Sequence, residues 1–458
     1  MLWQYNLHYF DDMNARAAKS RATWHSDLVE DWILSNQSQK SVGWDPYPTS
    51  LRIVNWVKWA FADNTPSKNM VHSLAVQARW LEARLEWHLL GNHLFANAKA
   101  LIFAGAFFEG TEADRWLARG ISILMDQLPE QILRDGGQFE LSPMYHALAI
   151  EDVLDLINLL NFMKPPQAND ILTALNDHIG GMWRWLMAMS HPDKRISFFN
   201  DAAFNVAPEN HELRQYAMRL NLRLPDIDGR IVNLEDSGYV RLTLGPAVVI
   251  ADVAAVGPSY LPGHAHADTL SFELSLFAQR VFVNSGCSVY GTGAERRRQR
   301  GTAAHNTVVL NGQDSTEVWG GFRVARRARI IDCSTYYDDG TLIVRASHDG
   351  YRRLPGAPVH SRKWTLTEHR LTILDEISPF GDHGEARFHL HPKARIELTG
   401  ACDGRIYLPE QQVIMWKSTA PARLENTTWH PEFGASVPNN CLVFPTKVGK
   451  STFELSWN

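Results

Sequence analysis

At 458 residues the chain exceeds what one hydrophobic core usually organises, and its net charge of −5 excludes a generally basic nucleic-acid binder. The hydrophobic fraction is 45%, with 16 Trp and 20 Phe, which supports a large packed interior. Four cysteines (Cys287, Cys333, Cys402, Cys441) with no CxxC pair rule out a disulfide framework, and no apolar run is long enough to span a bilayer.

The first ten residues lack a basic stretch followed by an apolar one, so no signal peptide is expected. This predicts a cytoplasmic protein by default, or a periplasmic or secreted one if the chain is a processed form. From about Trp56 to Met189 apolar residues recur at helical spacing, as in Val71, Leu74, Ala75, Ala78, Leu81, Leu85 and Leu89. Further helices are predicted over Ala96–Phe108, Glu112–Leu128, Pro143–Met163 and Ala168–Met189. Eleven of the 16 tryptophans fall in the first 200 residues, where they pack a core or line a sugar-binding cleft.

Two helix starts carry chemistry. Gly91 ends one helix and Asn92 is expected to cap the next, followed by His93; Ser142 is expected as the cap before Pro143, with Tyr145 and His146 in the first turn. Positive potential at a helix N-terminus favours phenolate at Tyr145. Between about Ala207 and Arg230, where Pro208, Pro225 and Gly229 cluster, the texture changes to short β-branched segments that run to Trp457.

In this second half Gly263-His264-Ala265-His266-Ala267-Asp268 places two imidazoles and a carboxylate at i, i+2 and i+4. As a strand it would point all three to one face, a polar pocket at a sheet rim. His305 stands at the mouth of another apolar strand, in Ala304-His305-Asn306-Thr307. Between them, the run Arg296-Arg297-Arg298-Gln299-Arg300 reads either as a solvated loop or as a docking patch for an anionic substrate.

These motifs, with Ser285-Gly286 and Tyr290, resemble the heparinase II/III-like polysaccharide lyases over nearly the whole chain. Tyr5–Asp11 and Trp319-Gly320-Gly321-Phe322-Arg323 look like members found among bacterial surface-polysaccharide genes. The resemblance implies an α+β multidomain fold: an incomplete (α/α) toroid over 1–215, then an antiparallel β-sandwich over 216–458. It implies β-elimination in a uronic-acid-containing polysaccharide, an anionic substrate such as heparan sulfate, hyaluronan, alginate or capsule. Asn92 would neutralise the uronate carboxylate, helped by His146 or His264. Tyr145 would act as acid, base or both, with His93 or His264 as the alternative base. Tyr290 would bind sugar or share the acid role, and Arg296, Arg297 and Arg323 would bind the polyanion.

Relatives that hold zinc on the sandwich imply His266 and His305 as ligands, with Asn284 at the position that resembles their acidic ligand. An amide brings no charge, so Asp268 is the substitute if its side chain turns inward. Two other readings stay open. A glycoside hydrolase on the same toroid would need two carboxylates, with Asp135 and Glu140 nearest. A non-catalytic glycan-binding protein of polysaccharide assembly would need neither.

Overall fold

A computed structural model describes residues 2–165, 168–379, 383–446 and 449–458. The chain divides into two compact units: Met1–Gln131 with Asp152–Asp177, and Ile132–Glu151 with His178–Asn458.

The first unit is helical, with Ala22–Ser35, Pro46–Phe61, Lys68–Glu82, Gly91–Phe107 and Thr111–Gln131 as its main elements. Five of its tryptophans are core: Trp32, Trp44, Trp56, Trp59 and Trp116 are buried. Arg52 is fully buried, with its guanidinium 3.9 Å from the Trp32 ring centre and its Nε donating to Gln77 Oε1 at 2.8 Å. Lys99 Nζ bridges Asp152 at 2.7 Å and Asp155 at 2.6 Å, and Lys58 reaches Asp155 at 2.9 Å. Burying the Lys and Asp charges is tolerable because each is paired, whereas Arg52 is held by hydrogen bonds to neutral groups and by the Trp32 face.

The second unit contains the helix start at Pro143, the end of the helix Ala168–Ala188, and the sheets. Strands Ile231–Leu234, Tyr239–Leu244, Ala247–Asp252, Phe272–Leu276 and Gln279–Phe282 form a five-stranded antiparallel sheet in chain order. An eight-stranded and a four-stranded antiparallel sheet follow. Strict alternation makes the central strands of the eight-stranded sheet amphipathic: in Val359–Thr367 and Arg370–Ser378 every second residue is buried. The inward faces of all three sheets share one core, including Val249, Phe272, Trp364, Ile373, Phe388, Trp416, Phe444 and Phe453. The four-stranded sheet receives Val308–Leu310, the short strand that follows His305.

One polar chain crosses this core. Gly350 N–H donates to His348 Nδ1 at 3.0 Å, His348 Nε2 lies 3.1 Å from His360 Nδ1, and His360 Nε2 lies 2.7 Å from Asp375 Oδ1. Burial drives both imidazoles toward the neutral form, so each N–H points the same way, toward Asp375. Arg362 also grips Asp375, at 2.6 and 3.0 Å, and turns its Nη1 to the carbonyls of Leu270 at 2.8 Å and Asn306 at 2.5 Å. Burial opposes ionisation of Asp375, but Arg362 and His360 win and hold its carboxyl at about 2.

The segment His264–Asp268 is not a strand, which corrects the expectation drawn from its spacing. The strand begins at Phe272, and the preceding residues form an irregular loop stitched to the segment 200–201. Asp201 N–H donates to the His264 carbonyl at 3.1 Å, and His266 N–H donates to Asn200 Oδ1 at 3.0 Å. Asn200 can serve because an Asn tolerates its left-handed φ of 57°.

Candidate active site

Tyr145 enters the site through its helix start. Ser142 caps the helix as expected: its Oγ accepts from Tyr145 N–H at 3.3 Å and donates to the Asp201 carbonyl at 2.5 Å. The Tyr145 ring lies against His264, centroids 4.0 Å apart, and its hydroxyl meets the Tyr290 hydroxyl at 2.9 Å. Burial raises both phenols well above their ordinary range; the Asp201 and Glu140 carboxylates push Tyr145 further, against the opposing hydrogen bond from Tyr290. At neutral pH both are phenols, against the expectation that the helix terminus favours phenolate: burial and the nearby carboxylates act in the opposite direction.

Asp201 is the hub, and nothing in the sequence singled it out. Its carboxylate is fully buried between His264 Nδ1 at 2.9 Å, His266 Nε2 at 2.9 Å and the two terminal nitrogens of Arg296, Nη2 at 2.7 Å. Burial alone would raise this carboxyl, but Arg296 and the two histidines hold it well below the usual carboxylate range. An ionised carboxylate only accepts, so His264 carries a proton on Nδ1 and His266 one on Nε2. The other nitrogen of His264 lies 3.3 Å from Glu140 Oε2. His264 is thus held between two carboxylates with its face on Tyr145.

Several expected residues sit elsewhere. His146 is fully buried, its Nδ1 accepting from Gln138 N–H at 3.1 Å and its Nε2 donating to the Met182 carbonyl at 2.8 Å. Both nitrogens are committed to backbone, so His146 is structural, which corrects its place among the catalytic candidates. The arginine run is a helix, Ala294–Arg300, rather than a loop. Arg296 and Arg300 are buried and Arg298 pairs with Glu295 at 2.6 Å, so only Arg297 of the four projects as an exposed docking charge. Arg296 as a direct contact for a polyanion is therefore corrected to an internal clamp on Asp201. Arg323 is exposed, and Asp135 is tied to Ser237 N–H and Oγ at 2.7 and 2.8 Å.

Asn92 and His93 belong to the first unit. The helix there begins at Gly91 with Leu90 as its cap, so Asn92 is a first-turn residue and not the cap expected. His93 Nδ1 is 3.0 Å from the buried Glu86 Oε1, and its ring lies 4.6 Å from that of Tyr47. Asn97 Nδ2 donates to the second oxygen of Glu86 at 3.0 Å, which fixes the carboxylate that orients His93.

A second cluster adjoins Asp201. Among the described residues, His266, Asp268 and His305 bring three donor atoms within 4.8 Å of one another, all buried. His266 Nδ1 has no hydrogen-bond partner, and His305 makes none of good geometry although the Gln299 carbonyl is nearby. Burial keeps both imidazoles neutral and raises Asp268. Orphaned buried lone pairs beside a carboxylate fit a tetrahedral cation such as zinc. Asn284 is engaged otherwise: its Oδ1 accepts from Asn306 N–H at 3.3 Å, and its Nδ2 faces Ser271 Oγ at 3.5 Å.

Residues 6–221 match the family model described as Heparinase II/III N-terminus, and residues 227–458 match that described as Heparinase II/III-like, C-terminal. The chain is 31% identical over 252 residues to the heparin-sulfate lyase of Bacteroides stercoris, a match covering 50% of this chain and 37% of that protein. It is 25% identical over 410 residues to FtsZ-localized protein C of Caulobacter vibrioides, covering 83% of this chain and 67% of that one. The crystal structure of heparinase III superposes with a TM-score of 0.79 at 18% identity, over 99% of this chain and 77% of the other, which shows a shared fold. With both family models matching in order and spanning nearly its whole length, the chain belongs to the heparinase II/III family.

Proposed function

We propose that the protein is a polysaccharide lyase that cleaves a uronate-containing glycan by β-elimination. The observation that carries this reading is the contact of Tyr145 with both Tyr290 and a carboxylate-held His264. In the reaction the C5–H and C4–O bonds break, a C4=C5 double bond forms, and the glycosidic oxygen gains a proton. Tyr145, a phenol at neutral pH, is the acid for that oxygen; Tyr290 donates to the phenolate so formed, which regains the proton that His264 has taken from C5. His264 takes the C5 proton on Nε2. The imidazolium so formed lies between Asp201 and Glu140, the arrangement in which a buried carboxylate orients and stabilises a charged base. Asp135, one of the two carboxylates the hydrolase reading named, is committed to Ser237 N–H and Oγ, which tells against that reading.

Incubation with heparan sulfate, hyaluronan, alginate and bacterial capsule tests the reading, with ultraviolet absorbance reporting the new double bond. Products lacking that chromophore would mean hydrolysis. No products from any of them would favour a non-catalytic glycan-binding role.

His266, His305 and Asp268 are proposed to hold a structural zinc ion, which would tie the loop of His266 to the strand entrance at His305. His266→Ala and His305→Ala should each release the metal and lower the melting temperature. The double variant should cost little more than one alone, because both report one site. Elemental analysis of protein purified without chelator or histidine tag checks the premise. Protein that carries no transition metal and melts unchanged in either variant would refute it.

A further inference from the structure

Val318–Trp319 and Arg323–Val324 form a hairpin too short to hold its own shape. It is nevertheless fixed from three sides. Gly321 O accepts from Arg296 Nε at 3.0 Å and from Arg300 Nη1 at 3.1 Å, both from buried guanidinium groups. Gly321 also packs so tightly on the residue after Tyr290 that an added Cβ would lie 2.7 Å from the Gly291 carbonyl oxygen. Val324 anchors the inner face against Val256, Ala265 and Ala328.

Pairing of Val318 with Val324 and of Trp319 with Arg323 puts the second pair on the opposite, outer face. There Trp319 remains 55% exposed, with the Arg323 guanidinium 5.9 Å from its ring centre. The turn residue Phe322 dips the other way, with its ring 5.2 Å from Tyr290 and 6.0 Å from His264. A rigidly held, solvent-facing indole beside a cation is a stacking platform with a charge reader. The indole face suits the apolar C–H face of a pyranose, and the guanidinium suits a carboxylate or sulfate.

We propose that Trp319 and Arg323 form a binding subsite for an anionic sugar ring, flanking the Tyr145–Tyr290–His264 centre. The class of ligand rests on the lyase reading; the platform itself rests on the hairpin. Arg296 couples the two, since the same guanidinium holds Asp201 and the turn of the hairpin. A ring bound on Trp319 would therefore be registered against the centre by a fixed spacer rather than by a mobile loop.

Affinity electrophoresis through gels containing heparin, hyaluronan or alginate tests this without requiring turnover, with neutral dextran as control. The wild-type protein should be retarded by at least one polyuronate and not by dextran. Trp319→Ala should weaken that retardation several-fold, Trp319→Phe should keep most of it, and Arg323→Gln should weaken it and flatten its salt dependence. Trp24→Ala, which removes a still more exposed indole from the helix Ala22–Ser35, should change nothing. Because Trp319 is exposed, its variants should melt with the wild type. Retardation unaffected by Trp319→Ala, or no retardation of the wild type in any polyuronate gel, would overturn the subsite. Trp319-dependent retardation without double-bond formation from any substrate would keep the subsite and remove the lyase reading. Unsaturated products with retardation indifferent to Trp319 would do the reverse.

Discussion

Tyr145→Phe is expected to fold normally and to lose elimination activity by a factor on the order of 10²–10⁴, about 3–5 kcal/mol of transition-state stabilisation. The substitution leaves the ring against His264 and removes only the hydroxyl that meets Tyr290. The folded state loses one buried hydrogen bond, a cost of about 1–3 kcal/mol when the partner stays unsatisfied. That is a shift in melting temperature of a few degrees, not a loss of structure. Initial rates of ultraviolet-absorbing product formation, read beside thermal unfolding, separate the two effects. Turnover near the wild-type value in a folded variant would remove Tyr145 from the chemistry and leave Tyr290 or His264 as the acid.

Asp201 should give the largest combined effect of any single residue. Asp201→Ala leaves Arg296 buried with no counter-charge, a change that typically costs about 3–5 kcal/mol, and it frees both His264 and His266. This variant should fold poorly or melt far below the wild type. Asp201→Asn is the discriminating change, because it keeps the volume and removes the charge. One amide oxygen cannot accept from two imidazoles and a guanidinium at once, so His264 loses its fixed tautomer. Its kcat should fall by roughly 10²-fold or more, and it should melt between Asp201→Ala and the wild type, because the amide oxygen still accepts from Arg296 but no longer neutralises it. A folded Asp201→Asn enzyme with wild-type kcat would show that His264 needs no carboxylate behind it.

The parts of this molecule governed by local chemistry were legible in the sequence. Ser142 followed by Pro143 announces a helix start, and the predicted Pro143–Met163 helix has those bounds in the structure. Alternating burial in Val359–Thr367 and Arg370–Ser378 follows from the period of their residues. The texture change placed between Ala207 and Arg230 ends in the first strand at Ile231, although the helix Asn210–Arg219 falls inside that interval. What was not legible depends on partners far along the chain. Asp201 lies in an aperiodic segment and meets His264, His266 and Arg296, 63, 65 and 95 residues away. No pattern near Asp201 reports those meetings. The arginine run misled for the same reason: charge density implies exposure until a buried carboxylate is known to face it. The i, i+2 spacing of His264 and His266 brings both to one carboxylate, yet through a loop pinned by Asn200 and not through a pleat.

The position of Arg362 has a consequence for how the site opens. Its Nη1 closes two carbonyls, that of Leu270 at the end of the loop bearing His266 and that of Asn306 beside His305. Neither segment can detach from the sheet beneath it without stranding part of the same guanidinium, which Asp375 holds in turn. The two loops are therefore expected to open together. In native-state hydrogen exchange their amides would belong to a single cooperative unit whose opening free energy is set on the eight-stranded sheet, remote from the residues that meet substrate.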